Sequence, residues 1–429
     1  MLSAELRHPV LPHPAPRRTD RPAEPGRTLD GLFSRAARRH PRAVVVREGL
    51  HQLSYGKADL LSARLATALL RTGVQLGDPV VVHCADHRQS LVAHLAVLKS
   101  GGVCVPVPGE VPAGQTAAIA AISGADTVLC SLTTHDRWEH GGRLQRLALD
   151  DPELWKRIGP WPLDRALPRS GPTEPAYLLT SGESGLWRSG HLVDHRAWHL
   201  AMAARSARTG PAGQTVTVTE QPSGPATLSA MWWAFGSGST LNVRPDGLTR
   251  ASLAGSVAVC ETGRYPRVLD ALAGEPPGSP PRAVLLVGAP CPPALAARHR
   301  EVLPGTGLRA EFAPGGSVLP WGVSVFPSDE EAGGAGATVL APAPGVRLSV
   351  RDVLGGTLRA GEVGEVCASG RTLPFDVIGD RAAGSRAGTP LGSGFGGYRR
   401  PDGGLEITGG PCPALPCPAP PPAAAGRKA

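Results

Sequence analysis

Strand and helix patterns alternate along residues 43–130 of this 429-residue chain. Short valine-rich runs, at 44–46 and 80–82, are typical of buried strands. The segments that follow carry leucine and alanine at helical spacing, and we expect Ser54 to cap one such helix and Gly73 to end it. Strands that alternate with helices usually form a parallel sheet with helices on its faces, so this rhythm predicts an α/β fold.

The two ends of the chain differ in composition from its centre. Residues 1–27 are rich in proline and arginine, and residues 411–429 are rich in proline and alanine. Neither segment offers enough apolar surface for a core, so both are predicted to be disordered. Residues 28–410 are predicted to form the folded core. Within it, residues 133–172 hold three tryptophans without a clear period and are predicted to be irregular.

A dense group of hydroxyls and glycines lies between two strand patterns at residues 175–195. Its members are Thr180, Ser181, Gly182, Ser184 and Gly185, with the cation of Arg188 after them. Glycine lets backbone N–H groups turn toward an anion, and serine and threonine add further donors, so this stretch could form a phosphate-binding loop. On these residues alone, the alternative is a glycine-serine hairpin without a ligand.

Charge and hydropathy argue against several classes of protein. The formal net charge of +8 is spread along the chain without a basic stripe interleaved with aromatic residues, which argues against nucleic-acid binding. No run approaches roughly 18 apolar residues, and the amino-terminal residues lack an apolar signal segment, so we expect neither a membrane span nor secretion. The eight cysteines form no C-x-x-C pair. We therefore expect a cytoplasmic protein whose thiols are mostly buried, with Cys412 and Cys417 exposed in the tail.

Several longer motifs resemble the adenylate-forming (AMP-binding) superfamily, which includes nonribosomal peptide adenylation domains and acyl-CoA ligases. T-S-G-E-S-G-L-W-R-S at 180–189 is similar to the family's T-S-G-S-T-G-x-P-K-G, and L-K-S-G-G-V-C-V-P-V at 98–107 resembles L-K-A-G-x-A-Y-V-P-L. The glycine-rich text of 344–370 resembles a third family motif. The resemblance covers residues 28–410. It implies the N-terminal core of such an enzyme, with two α/β subdomains of mainly parallel sheets and a smaller β-rich subdomain at 340–410.

The resemblance also implies a nucleotide site and a substrate pocket. ATP or AMP with Mg²⁺ would be bound by the loop residues Thr180, Ser181, Gly182, Ser184, Gly185 and Arg188, together with Phe312 and Pro314 of L-R-A-E-F-A-P-G-G. The family's pocket for a carboxylate substrate would include Pro225, Ser229 and Trp233. His195 matches a family histidine, although we expect it to be a helix-start residue satisfied by backbone, after a capping Asp194.

This chain departs from the family pattern at positions that matter for the chemistry. Glu183 replaces a loop serine, Gly316 stands where the Mg²⁺ glutamate is expected, and Pro225 stands where an aspartate pairs with the substrate's ammonium. Gly394 replaces the aspartate that binds the ribose, and the adenylation lysine has no counterpart in the sequence. We therefore assign no catalytic residue and no metal ligand, and these departures leave the binding of ATP and Mg²⁺ in doubt.

Three functional hypotheses remain open, and the third of them is that the open reading frame is a decaying remnant. The first is a degenerate adenylation-domain homologue, impaired in ATP-dependent carboxylate activation, that acts as a binding or scaffold partner in nonribosomal peptide or related secondary-metabolite biosynthesis. Its partners would be a carrier protein or a synthetase, and a carboxylate is a possible ligand. The second is an active adenylate-forming ligase that a separate C-terminal subdomain completes.

Overall fold

The computed structural model describes residues 28–411 with interruptions. The residues inside this range that it leaves out are 110, 112, 140–143, 165, 166, 168, 169, 184, 185, 211, 212, 214, 246, 277, 316, 327–337 and 380–389. The sequence-based predictions for residues 1–27 and 412–429 therefore lie outside the described residues.

Helices and strands follow one another along the described residues. The helices are α1 Leu29–Arg39, α2 Tyr55–Arg71, α3 His87–Ser100, α4 Ala113–Ser123, α5 Leu132–His135, α6 Pro152–Ile158, α7 His195–Thr209, α8 Pro225–Gly236, α9 Arg250–Leu253, α10 Tyr265–Ala273 and α11 Pro293–Val302, with a 3-10 helix at Asp136–Trp138. The strands are β1 Val44–Glu48, β2 His51–Ser54, β3 Pro79–His83, β4 Val103–Pro106, β5 Thr127–Cys130, β6 Gln145–Ala148, β7 Pro175–Glu183, β8 Leu186–Asp194, β9 Thr215–Val218, β10 Thr240–Val243, β11 Val257–Glu261, β12 Ala283–Gly288, β13 Gly307–Phe312, β14 Gly322–Phe326, β15 Thr338–Pro342, β16 Val346–Arg351, β17 Val363–Gly370, β18 Asp376–Gly379, β19 Leu391–Arg399 and β20 Leu405–Pro411.

The described strands form two mixed sheets. The small sheet has seven strands in the order β18-β8-β7-β4-β3-β5-β6, and the large sheet has 13 in the order β16-β17-β19-β20-β15-β14-β13-β12-β11-β9-β10-β1-β2. Strands β3 to β6 pair in parallel in the small sheet, and β1 and β9 to β13 pair in parallel in the large one. The α/β class predicted from the alternating pattern is confirmed.

The last strands are antiparallel and are divided between the sheets. Strands β14, β15, β20, β19, β17 and β16 extend the large sheet by antiparallel pairing. By contrast, β18 pairs with β8 at the edge of the small sheet. The strands described within residues 340–410, the stretch expected to be β-rich, thus join both sheets.

Local signals place the helices that carry the candidate site. Ser54 Oγ accepts a hydrogen bond from the Lys57 N–H at 3.3 Å and caps α2, as predicted. The carboxylate of Asp194 accepts from the Ala197 N–H at 2.6 Å and caps α7, also as predicted. The largest hydrophobic core joins residues of both sheets through α1, α2, α3, α7 and α8. The site elements are therefore anchored in one continuous core.

The prediction that residues 133–172 are irregular is wrong in part. This stretch contains a 3-10 helix, the edge strand β6 and the helix α6. Strand β6 pairs in parallel with β5, and Asp151 caps α6 through the Glu153 N–H at 2.9 Å. The elements are too short for a visible period, and long-range pairing and burial of Leu154 and Ile158 determine their structure.

Candidate functional site

Glutamates stand at the carboxyl ends of the parallel strands of the large sheet. Glu48 ends β1, Glu220 follows β9, Glu261 ends β11, and Glu311 lies next to the last residue of β13. Ligands of open α/β sheets bind outside the carboxyl ends of the strands. This edge, together with the hairpin of the small sheet, is therefore the candidate site.

The predicted phosphate loop lies at the tip of a β-hairpin. Strands β7 and β8 pair from Pro175 to Glu183, with Glu183 opposite Leu186 and Ser181 opposite Ser189. Ser181 and Gly182 lie in β7 and Arg188 lies in β8, and their side chains lie outside the description. Ser184 and Gly185 lie outside the described residues altogether. The backbone of the described residues thus forms the hairpin that was the alternative to a phosphate loop. Phosphate binding at this hairpin stays a prediction.

Thr180 is the predicted loop residue whose side chain the structure describes. It is buried and pairs through its backbone with Gly190 of β8. Its Oγ1 is buried and has no hydrogen-bond partner among the described residues. A buried hydroxyl without a partner costs about 1–3 kcal/mol. Thr180 could therefore offer a hydrogen bond to a bound ligand.

Phe312 is the last residue of β13, and Pro314 lies two residues beyond it. The Phe312 ring is 1% exposed and packs edge-on against Trp321 and Phe395, with ring centroids 6.3 and 5.3 Å apart. Pro314 is buried, and its carbonyl accepts from the Ser317 N–H at 3.0 Å. Phe312 therefore serves the core beside the site, and the role of both residues in nucleotide binding stays a prediction.

The residues predicted for the substrate pocket lie along α8. Pro225 is the first residue of the helix and is partly exposed, whereas Ser229 and Trp233, one turn apart, are buried. Trp233 Nε1 donates to Ser206 Oγ on α7 at 3.0 Å. The structure therefore brings Ser229 and Trp233 to the contact between α8 and α7.

Arg205 of α7 occupies the space beside Ser229 and Trp233. Its Nε donates to Glu311 Oε1 at 3.0 Å and its Nη2 donates to Glu311 Oε2. Its Nη1 donates to the Ser229 carbonyl at 2.9 Å and to Met202 Sδ at 3.8 Å, and its Nη2 also donates to Ser229 Oγ. The guanidinium carbon lies 5.5 Å from the centre of the Trp233 ring. All guanidinium N–H groups of Arg205 are thereby engaged.

A pair of carboxylates, Glu220 and Glu261, lies beside the start of α8. Glu220 is buried, and its Oε1 accepts from the Glu261 N–H at 2.8 Å. Glu261 Oε1 lies 3.9 Å from the position that a Cβ on Gly224 would take. Burial and the charge of Glu220 raise the pKa of Glu261, and Arg264 opposes them. A cation beside Gly224 would relieve this repulsion.

A buried hydroxyl and imidazole network joins α3 to the turn before α8. Ser223 has a φ of 63°, which is rare for a residue with a side chain. Its Oγ lies 3.1 Å from His94 Nε2 and 3.2 Å from Ser90 Oγ. The other ring nitrogen of His94 lies 3.3 Å from the Tyr177 hydroxyl. Burial lowers the pKa of His94 to about 3, so this imidazole is neutral at pH 7.

Sequence reasoning missed both of these groups and Arg205. A glutamate at the end of a strand pattern, as at Glu261, is a signal that could have found the carboxylate pair. No local signal connects Arg205 with Glu311, because the two are 106 residues apart in sequence.

His195 has the backbone contact predicted for it. It begins α7, is fully buried, and its Nδ1 accepts from the Leu29 N–H at 3.1 Å. Burial lowers its pKa to about 4, against the charge of Asp30. His195 therefore joins α7 to α1 as a neutral side chain.

The described residues include no clustered metal site. They contain no group of three or more His, Cys, Asp or Glu side chains that could hold a metal ion. Glu311 precedes the Pro314 turn, but Arg205 engages both of its oxygens. Gly316 lies outside the described residues and has no side-chain oxygen.

No described helix is both long and apolar enough to cross a lipid bilayer.

Comparison with known proteins identifies relatives in both sequence and structure. A family model described as AMP-binding enzyme matches residues 33–373. Phosphinothricin tripeptide synthetase PhsC of Streptomyces viridochromogenes is 32% identical over 224 residues, which are 52% of this chain and 20% of that protein. CymA of Salinispora arenicola, a probable non-canonical nonribosomal peptide synthetase, is 28% identical over 352 residues, which are 80% of this chain and 4% of that protein. The chain thus spans a small part of the curated relatives that it matches.

Solved structures share the fold. VinN superposes with a TM-score of 0.74 at 19% identity, covering 89% of this chain and 98% of VinN. The nonribosomal peptide synthetase FmoA3, in its AMPPNP-bound form, superposes with a TM-score of 0.73 at 20% identity, covering 90% of this chain and 43% of FmoA3. At these identities the likeness concerns the fold.

Proposed function

The chain belongs to the AMP-binding enzyme family, and on this premise we propose that it is a degenerate adenylation-domain homologue. In this proposal it is impaired in ATP-dependent carboxylate activation and acts as a binding or scaffold partner in nonribosomal peptide or related secondary-metabolite biosynthesis. The family match over residues 33–373 confirms the resemblance that the motifs predicted.

The internal engagement of Arg205 is the observation that carries the proposal. Ser229, expected in the substrate pocket, is bonded through both its hydroxyl and its carbonyl to a guanidinium that Glu311 neutralises. Pro225 offers no charge to a substrate ammonium, and an unpaired buried charge costs several kcal/mol. Among the residues predicted for the substrate pocket, Ser229 is thus engaged by a side chain of the protein itself.

Adenylation requires groups that stabilise negative charge on the phosphates of ATP. A substrate carboxylate oxygen attacks the α-phosphorus of ATP, an O–P bond forms, and pyrophosphate leaves with the electrons of the broken P–O bond. Negative charge grows on the phosphates and must be stabilised by preorganised donors or cations. The sequence has Gly316 where the resemblance implies the Mg²⁺ glutamate, and glycine has no side-chain oxygen. Slow turnover or none follows from this shortage.

The names of the relatives support a role for this homologue beside a multidomain peptide synthetase. PhsC is named as a tripeptide synthetase and CymA as a nonribosomal peptide synthetase, and each is several times longer than the matched region. We propose that this chain works beside such a synthetase or a carrier protein, in the cytoplasm. A carboxylate is its possible small ligand.

Carboxylate-dependent exchange of pyrophosphate into ATP tests the proposal. The purified chain is assayed against a panel of amino and aryl acids, with and without a carrier protein or synthetase partner. We expect no exchange above the carboxylate-free background in either condition. Exchange by the chain alone would contradict the proposal.

A second candidate function is an active ligase that a separate C-terminal subdomain completes. Two observations favour it. Thr180 Oγ1 is buried and has no hydrogen-bond partner among the described residues. Burial and the charge of Glu220 raise the pKa of Glu261, and a bound cation would lower it again by stabilising the ionised carboxylate. This candidate predicts exchange only after the partner polypeptide is added. Loss of that exchange in Glu261→Gln, with Glu153→Gln as the exposed control, would assign the carboxylate to an ammonium-bearing substrate.

A further inference from the structure

The carboxyl end of α7 carries more positive charge than its surroundings neutralise. Arg205 and Arg208 lie on α7, and Arg309 lies on β13, where its Nη1 donates to the Arg208 carbonyl. Glu311 is the carboxylate that faces them, and Arg205 chelates it. Among the described residues, three guanidinium groups around one carboxylate leave a local excess of two positive charges.

Arg208 is the member of this cluster without adequate partners. Its Nη2 lies 3.8 Å from Glu311 Oε1, beyond hydrogen-bond distance. Both Nη1 and Nη2 are buried and have no hydrogen-bond partner among the described residues. Buried donors of a charged group that lack partners are costly, so a complementary group is expected beside them.

The charged groups near Arg208 also indicate that an anion would be favourable beside it. Burial lowers the pKa of the Arg208 guanidinium, and Arg205 and Arg309 lower it further, while Glu311 opposes them. A basic residue in the last turn of a helix can be stabilised by the helix dipole. That explanation is insufficient here, because neither terminal nitrogen of Arg208 binds a carbonyl of the described residues.

We propose that Arg208 and Arg309 form an anion site for a phosphate group, either free or carried as a monoester. A phosphate carries a charge between about −1.5 and −2 near pH 7, which matches the local excess of positive charge. Its oxygens accept the paired N–H donors that a guanidinium presents. The Arg208 side chain as a whole is 27% exposed, whereas its two terminal nitrogens are buried, so a phosphate binds them once the side chain turns toward the surface beside α7.

This site is separate from the proposed nucleotide loop. It is built on the last turn of α7 and on β13, whereas the loop lies between β7 and β8. The inference does not depend on catalysis, so a lack of carboxylate activation would leave it unaffected. It adds a binding function for a phosphate group to a chain proposed to turn over ATP poorly.

Thermal unfolding in phosphate tests the site. The full chain is heated in inorganic phosphate or phosphoethanolamine, with sodium chloride adjusted to constant ionic strength. We expect a saturable rise in Tm of at least about 2 °C for the wild type and for Arg39→Met, an exposed arginine in the last turn of α1. Arg208→Met should lose the rise, and without phosphate its Tm should equal or exceed that of the wild type because an unpaired cation is removed.

The outcomes separate clearly. A response to both compounds indicates that the site takes a phosphate group on a larger molecule, and a response to inorganic phosphate alone indicates the free ion. An equal rise in wild type and Arg208→Met, or no saturable rise in the wild type, overturns the proposal. If Arg208→Met does not fold, Arg309→Met decides by the same comparison, with isothermal calorimetry of inorganic phosphate as the second readout.

Discussion

Arg205 of α7 and Glu311 of β13 form a bidentate ion pair inside the protein, with side chains 0% and 2% exposed. Helix α7 follows the hairpin that carries the predicted phosphate loop, and β13 leads into the turn at Pro314. The pair therefore holds together the two segments that the family resemblance assigns to the nucleotide. It also engages Ser229, so binding of a substrate there would compete with an internal contact.

Removing Glu311 should lower the free energy of unfolding more than removing Arg205. Glu311→Gln leaves Arg205 charged and buried beside Arg208, and we expect it to lower the free energy of unfolding by about 3–5 kcal/mol. Arg205→Met should cost less, because Arg208 remains 3.8 Å from the carboxylate. Urea unfolding measures both changes.

The double variant and a surface control complete this comparison. Arg205→Met with Glu311→Leu removes both charges and should be more stable than Glu311→Gln alone. Glu153→Gln breaks an exposed pair with Lys156 and should change the free energy of unfolding by less than about 1 kcal/mol. Equal losses for Glu311→Gln and Glu153→Gln would show that the internal pair is unimportant.

Ser223 should reveal backbone strain when two small replacements are compared. Both Ser223→Ala and Ser223→Gly lose the contacts with Ser90 and His94, but only glycine relaxes the φ of 63°. We expect Ser223→Gly to be more stable than Ser223→Ala by about 1 kcal/mol in urea unfolding. The reverse order would mean that the turn is not strained.

The buried histidines should make the protein sensitive to acid. The folded-state pKa is about 3 for His94 and about 4 for His195, below the ordinary 6.5, so the unfolded state binds more protons between these values. The free energy of unfolding should therefore fall as pH decreases below 6.5, by up to about 1.4 kcal/mol per pH unit and histidine.

Midpoints of urea unfolding between pH 7.5 and pH 4.5 measure this pH dependence. Each variant is compared with the wild type at every pH. His94→Gln should show a shallower decline, and the exposed His51→Gln should match the wild type. A decline that is unchanged in both His94→Gln and His195→Gln would contradict the assignment.

The cysteine thiols should be inert in the folded protein. Six described cysteines are buried. Burial raises the pKa of Cys130 and Cys367 to about 12, and that of Cys104 well above its ordinary value. In a Cys412→Ser, Cys417→Ser variant we expect DTNB to label no thiol quickly until urea unfolds the chain. Rapid labelling of the folded variant would disprove this.

Local sequence signals predicted the parts of the fold that local physics determines. Ser54 and Asp194 cap their helices through bonds to residues three positions away, so the sequence alone could place them. The α/β class followed from the alternation of valine-rich strands with helices, and the family from motifs of fixed spacing. Strand β6 and helix α6 were missed because short elements depend on partners elsewhere in the chain.

The candidate site depends on contacts that the sequence does not reveal. His94 and Ser223 are 129 residues apart, and Arg205 and Glu311 are 106 apart. Their pairing follows from how the helices lie between the two sheets. The substitutions at Pro225 and Gly316 were visible in the sequence, but the arginine that fills the space beside Ser229 was not.

Calorimetry of nucleotide binding tests most directly whether this adenylation-domain homologue has lost its affinity for ATP. The purified chain is titrated with ATP and Mg²⁺ up to millimolar concentration, in the presence of the panel of carboxylates. We predict no saturable heat, because Gly316 stands where the Mg²⁺ glutamate is expected and Arg205 engages Ser229. A saturable heat with a micromolar Kd that strengthens with one carboxylate would contradict the account.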